Sequence, residues 1–218
     1  MDGHHSVQGE VGRALQLLTP ALLAVNQHNH IAHLQPGLLE DLGADVVPVR
    51  AASDLTGPDG SRLDALVLPG GESSTMDKLL RMFDLAEPLR DAIASGVPTL
   101  GTCAGLVLLA REIVDPAPGQ RSLGVLDVTV RRNAFGPQVD SAETALETTL
   151  GPVKVAFIRA PIVTRLGAGV EKLATWQGRV VAVRQGSVTG IAFHPELTGE
   201  PTFHRALLAE AGRSVRAA

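Results

Sequence analysis

The single cysteine of this chain, Cys103, sits in the run Gly101-Thr102-Cys103-Ala104-Gly105. A lone cysteine is usually a small buried hydrophobe, but here the neighbours argue for chemistry. The run ahead of it, residues 97–103, is short and apolar like a strand, and AGLVLLAREI behind it has the composition of a helix. A nucleophile held at a sharp strand-to-helix turn needs small residues two before and two after it, because the two backbones approach closely there. The helix N-terminus also turns the positive end of its dipole toward the sulfur. A sulfur nucleophile needs a base, and Phe193-His194-Pro195-Glu196 offers one with its orienting carboxylate two residues on. Side chains at i and i+2 of an extended backbone share a face, so Glu196 is expected to hold one ring nitrogen of His194 and leave the other for Cys103. A carbonyl under attack also needs donors for its developing oxyanion. The candidates are the N–H of Gly71, closing Leu68-Pro69-Gly70-Gly71, and the N–H of Ala104, just after the nucleophile. Alone, a Gly-Gly pair is a turn and His-x-Glu a surface loop; together with an elbow cysteine they make a hydrolytic constellation.

The elements that must position these residues follow from short apolar runs that end in turn residues. PALLAV (20–25), ADVVPVR (44–50), LDALVLPGG (63–71) and VPTLGTC (97–103) alternate with helix-length segments, the βαβ rhythm of a parallel sheet. Residues 74–96 carry Met76, Leu79, Leu80, Phe83, Leu85, Leu89 and Ile93 near helical spacing, which predicts one or two helices with Pro88 opening the second. The second half changes character. Runs 123–133, 153–161 and 178–196, the last with a hairpin-like Arg-Gln-Gly-Ser turn, predict antiparallel strands added to one edge of the sheet. Residues 201–215 form a closing helix with Pro201 in its first turn. Residues 1–19 show no clear period and are expected to be a leader outside the core, leaving 20–218 as a single α/β domain.

Composition limits the function classes. A chain of 218 residues that is 44% hydrophobic can build one sizeable core. The net charge is -4, with no basic stripe and no aromatic-basic interleaving, so no nucleic-acid partner is expected; small neutral or zwitterionic ligands fit better. One cysteine allows no intrachain disulfide. With no secretory signal and no run of 18 apolar residues, the expectation is a reducing, cytoplasmic setting and no membrane partner. His28 and His30 in His-Asn-His-Ile-Ala-His would share a face if extended. No Asp, Glu or Cys stands among them to complete a ligand set, so neither a metal nor a cofactor is expected.

The stretches LPGGESSTM (68–76), GTCAGLVLLA (101–110), VRRNAFGPQVDS (130–141), FIRAP (157–161) and AFHPELT (192–198) together resemble the glutaminase subunits of pyridoxal 5'-phosphate synthases, which are class I, triad-type glutamine amidotransferases. The match runs from about Ala44 to the C-terminal helix. Its more specific parts are GGES and RRNAFGPQVDS, since an elbow plus His-x-Glu would suit any class I amidotransferase. The resemblance implies a three-layer, flavodoxin-like sandwich whose mostly parallel sheet has antiparallel edge additions. It implies hydrolysis of L-glutamine to glutamate and ammonia by Cys103, His194 and Glu196, with glutamine bound by Gly71, Glu72, Ser73, Arg132, Ile158 and Arg159. It further implies delivery of ammonia to a separate barrel-shaped synthase subunit in a hetero-oligomeric complex. An arginine, Arg132 or Arg159, is suited to the substrate carboxylate, and Glu72 to organising its loop or holding the substrate ammonium. The family's usual opening differs here: Gln27 is followed by His28, about twenty extra residues precede it, and Pro36 with Gly37 is expected to interrupt the helix that follows. Two other readings are a glutaminase subunit of a different class I amidotransferase and a silent binding subunit that retains the elbow.

Overall fold

The computed structural model describes residues 15–17, 34–56, 63–134 and 142–217. Its core is a parallel sheet of five neighbouring strands. β1 (Leu15–Leu17) lies between β2 (Val46–Pro48) and β3 (Ala65–Leu68), and β4 (Thr99–Thr102) continues the sheet to β12 (Val188–Ile191), all parallel. β3 and β4 are buried at every position, as expected of central strands covered on both faces. β1 falls inside the stretch read as a leader, so the sheet takes in part of residues 1–19. The run 20–25, expected to supply a strand, lies outside the described residues, as do His4, His5, His28 and His30.

Beyond β12 the sheet turns antiparallel through β11 (Arg179–Gln185), β10 (Glu171–Trp176), β7 (Ala142–Thr148) and β8 (Gly151–Phe157). β9 (Ile162–Leu166) joins β11 to β6 (Leu126–Arg131), and β6 pairs in parallel with β5 (Ala110–Val114). The expected antiparallel additions are therefore present, and more numerous than the apolar runs suggest.

Helices cover both faces. On β4, Gly101 faces α4 (Ala104–Leu109), where an added Cβ would lie 2.5 Å from Leu109 Cδ1. The preceding residue, Leu100, lines a cavity of about 280 Å³ with Phe203 and Leu207 of α5 (Thr202–Ala217). Successive strand residues point to opposite faces, so α4 and α5 sandwich the sheet. α2 (Ser73–Met82) packs beside α4, and α3 (Ala86–Ala94) beside α2. Pro88 falls in the first turn of α3, as expected.

Two expectations change. AGLVLLAREI is not one helix: α4 stops at Leu109 and Ala110–Val114 becomes a strand, because pairing with β6 overrides the helical preference of Ala-Arg-Glu. Pro36 and Gly37 do not interrupt a helix but lie within α1 (Leu34–Asp41). Proline is tolerated there because the N–H groups of a first turn have no intrahelical partner to lose.

Candidate functional site

The parallel strands β3, β4 and β12 lie side by side, with Leu68 opposite Gly101 and Thr102 opposite Ile191, so all three end at one level. Their carboxyl ends lead into Pro69-Gly70-Gly71, Cys103 and Phe193-His194 respectively, a crevice of the kind in which open α/β sheets bind ligands.

Cys103 stands between β4 and α4 at φ 49°, ψ −101°, a conformation a side-chain-bearing residue seldom adopts. Its N–H donates to Ile191 O at 2.8 Å, tying the elbow to β12. The flanking glycines have the steric role expected of them. A Cβ on Gly105 would lie 2.0 Å from Leu68 O, and one on Gly101 would lie 2.7 Å from the Gly105 backbone carbon. The thiol lies 3.9 Å from the carbonyl oxygen of Ile158.

His194 is 3% exposed and its Nδ1 is 2.8 Å from Glu196 Oε1, itself buried. The pair does not form across an extended run: His194 ends the extended backbone, and Pro195–Leu197 is a single 3-10 turn that swings Glu196 back under the ring. The His194 N–H donates to Ala156 O at 2.8 Å, which anchors this segment to β8. Burial alone would lower the His194 pKa. The charge of the Cys103 sulfur, its hydrogen bond to the ring and the Glu196 carboxylate outweigh that and push it up to about 10.

Gly70 closes the other side. A Cβ on it would meet His194 Cε1 at 2.3 Å, so the glycine loop lies directly on the imidazole. Gly71 follows, exposed, with φ 155°, a backbone state that glycine alone adopts freely. Ala104 is the first residue of α4, and the N–H groups of a first helical turn have no partner within the helix.

Glu72 caps α2. Its carboxylate accepts from Ser74 N at 3.2 Å, Thr75 N at 2.7 Å and Ser74 Oγ at 2.5 Å, and it also receives Arg132 Nη2 at 2.8 Å. Burial would raise the Glu72 pKa, but the bonds from Ser74 and Thr75 prevail and hold it below the ordinary carboxylate range. Of the two roles considered for Glu72, this arrangement is the loop-organising one. Arg132 spends its guanidinium on Glu72 and on Gln120 Oε1 at 2.7 Å, while Gln120 Nε2 donates to Ser73 Oγ at 3.0 Å. Gln120 is a residue that sequence reasoning missed. It is nearly buried and links the glycine loop to the Arg132 turn; its only local signal is a lone glutamine in a Pro-Gly loop. Asp77 of α2 steadies that loop by accepting from Arg121 N at 2.8 Å. Arg159 follows Ile158 in a left-handed conformation, φ 42°, and is exposed outside this network. Ala134 N donates to Ala160 O at 3.0 Å, which sets the Arg132 and Arg159 turns side by side. Among the described residues no cluster of His, Cys, Asp or Glu suits a metal ion.

The family model described as the SNO glutamine amidotransferase family matches residues 23–211. The chain belongs to that family. Among its relatives, pyridoxal 5'-phosphate synthase subunit PdxT of Acidothermus cellulolyticus is 52% identical over 186 residues, covering 82% of this chain and 87% of that protein. The protein of the same name from Cutibacterium acnes is 49% identical over 187 residues, covering 82% and 90%. A crystal structure described as a glutamine amidotransferase superposes with a TM-score of 0.78 at 42% identity, covering 93% of this chain and 99% of that one. A crystal structure described as a GMP synthase component from Thermoplasma acidophilum, 18% identical with a TM-score of 0.61 and covering 94% of this chain and 98% of that one, shares the fold. No helix among the described residues of this SNO family member is long and apolar enough to cross a membrane.

Proposed function

We propose that this chain is a glutaminase that hydrolyses L-glutamine to glutamate and ammonia through Cys103, His194 and Glu196. The observation that carries this reading is a buried imidazole held by a carboxylate on one side and acted on from the other by the sulfur of a cysteine at a strained strand-to-helix elbow. The Cys103 sulfur attacks the side-chain amide carbon, and the oxyanion takes hydrogen bonds from the Ala104 and Gly71 N–H groups. The carbon–nitrogen bond then breaks as His194 passes its proton to the departing nitrogen, leaving a γ-glutamyl thioester and ammonia. Water attacks the thioester, His194 takes its proton, and glutamate leaves with the sulfur restored. Glu196 keeps the imidazole in one orientation and stabilises its charge in both halves.

Glutamine lies against Gly71, Glu72, Ser73, Arg132, Ile158 and Arg159. Arg159 is the better carboxylate ligand, because Arg132 is already engaged by Glu72 and Gln120. The names of the relatives support ammonia transfer to a pyridoxal 5'-phosphate synthase partner. Two measurements test the reading: labelling of Cys103 by a glutamine-like electrophile, and glutamate release with and without the synthase partner at saturation. An unlabelled Cys103 together with no glutamate release in either condition would leave the chain a silent binding subunit.

A further inference from the structure

Beyond the Glu196 carboxylate lies a second histidine that the chemistry above does not use. His204, in the first turn of α5, is 0% exposed, and neither of its ring nitrogens has a hydrogen-bond partner among the described residues. Glu196 Oε2 is in the same condition: Oε1 holds His194, and the second oxygen is buried without a donor.

A short, well-anchored path joins these two residues along the chain. From the 3-10 turn at Pro195–Leu197, Thr198 Oγ1 donates to Lys154 O at 2.6 Å. Glu200 then accepts from the N–H and hydroxyl of Thr202 at 3.1 and 2.7 Å, which starts α5. Phe203 meets Phe193 edge to face at 5.5 Å, so the residues immediately before His194 and His204 are in contact. Of the strands under α5, β3 and β4 carry no titratable residue, and β11 brings Arg184 to the cavity that Leu207 and Glu210 line. Glu196 is the charge that acts on His204.

Protein interiors leave few polar atoms unpaired, and a buried carboxylate oxygen is among the costliest to leave so. A neutral imidazole offers one N–H and one acceptor nitrogen. We propose that His204 is a positioning residue for Glu196, donating a hydrogen bond to Oε2 through one buried water, and so fixing the carboxylate plane on which His194 rests. The same burial pushes the His204 pKa down to about 4 against the opposing pull of Glu196, which keeps the ring neutral at ordinary pH. A water in this position would have polar partners on both sides, the condition for its being held.

The kinetic arm of the test rests on the glutaminase reading; the spectroscopic arm does not. In the complex with the synthase partner, His204→Phe keeps size and removes the donor, and is expected to lower kcat on the order of 10-fold with KM for glutamine unchanged. His204→Gln, which keeps a donor, is expected to stay within roughly 3-fold of the parent. Equal rates in the parent and a folded His204→Phe variant would overturn the proposal, and so would equal losses in the Phe and Gln variants. Should His204→Phe fail to fold, the decision passes to the unaltered chain labelled with 15N-histidine. There His204 should show a neutral ring with one exchange-protected N–H whose proton shift moves in Glu196→Gln. An N–H signal indifferent to Glu196→Gln would overturn the contact. An inactive parent whose His204 signal does respond would uphold the contact and strike the glutaminase reading alone.

Discussion

Gly70→Ala tests the site without touching any group assigned to the chemistry. The added Cβ would lie 2.3 Å from His194 Cε1 and 3.0 Å from Nδ1, whereas ordinary contact begins near 3.4 Å. The ring or the loop must therefore yield by about 1 Å. The ring has little freedom, being 3% exposed and held at Nδ1 by Glu196 at 2.8 Å. Retreat along its plane breaks that bond or draws the ring away from the Cys103 sulfur, and retreat of the loop instead carries the Gly71 N–H with it. A misplacement of that size at a reacting group costs roughly 100-fold, or about 2.7 kcal/mol of activation free energy. The expected outcome is a kcat for glutamate release reduced about 100-fold, slower labelling of Cys103 by the electrophile, and a stability loss of only about 1–3 kcal/mol for the overpacked contact. A matched substitution at Gly37, where a Cβ meets nothing within 4 Å, should leave kcat unchanged. A Gly70→Ala enzyme with parental kcat would refute the placement of the loop against His194.

Replacement of His194 by Asn should reduce kcat more than Glu196→Gln does, since His194 moves a proton in both half-reactions and Glu196 only orients it; equal, negligible losses in steady-state glutamate release would remove both from the mechanism. Gln120→Leu frees Ser73 Oγ and one arm of Arg132, and should raise KM for glutamine roughly 10-fold with little change in kcat, which initial rates over a glutamine series would show. His204, at about 4 in the folded chain against about 6.5 unfolded, binds a proton more readily when unfolded. Its neutral burial therefore contributes fully above pH 6.5, and that contribution falls by up to about 3 kcal/mol as the pH drops toward 4. His204→Gln should flatten that part of the urea-midpoint profile, and parallel profiles would show that His204 titrates normally. At the elbow, Cys103→Gly should be at least as stable as Cys103→Ala despite glycine's usual entropic cost, because φ 49° strains alanine; a clearly more stable alanine variant in urea would deny that strain.

How much of the fold was legible depended on how each element buries itself. β3 is apolar at every position and β4 is buried at every position because both faces are covered, and the apolar runs that contain them stand out in any reading. β7 and β10 do not: Ala142–Thr148 buries Leu146 alone among its described side chains, and Glu171–Trp176 buries only Leu173 and Ala174. Their pairing energy lies in ladders with distant strands, which no window of sequence contains. β1, three residues long, is equally silent locally and is defined by its parallel partners on both sides.

The site divides along the same line. Gly101, Cys103 and Gly105 are neighbours in sequence, so the steric demand of the elbow is written locally, and His194 with Glu196 needs only one turn. Gln120 works through Ser73, 47 residues away, and through Arg132, 12 residues away, so its role exists only once α2 and β6 are placed. His204 had a signal that could have been used. It shares the buried face of α5 with Phe203, Leu207 and Ala211, and a histidine at a core position of an amphipathic helix is a polar group that must find a partner. A helix cannot bury an imidazole there without cost unless a complementary atom meets it, and Glu196, whose second oxygen is buried without a hydrogen-bond partner, is the charge that acts on His204. The closing helix therefore does more than cap the sheet: it places a second polar group behind the carboxylate on which His194 depends.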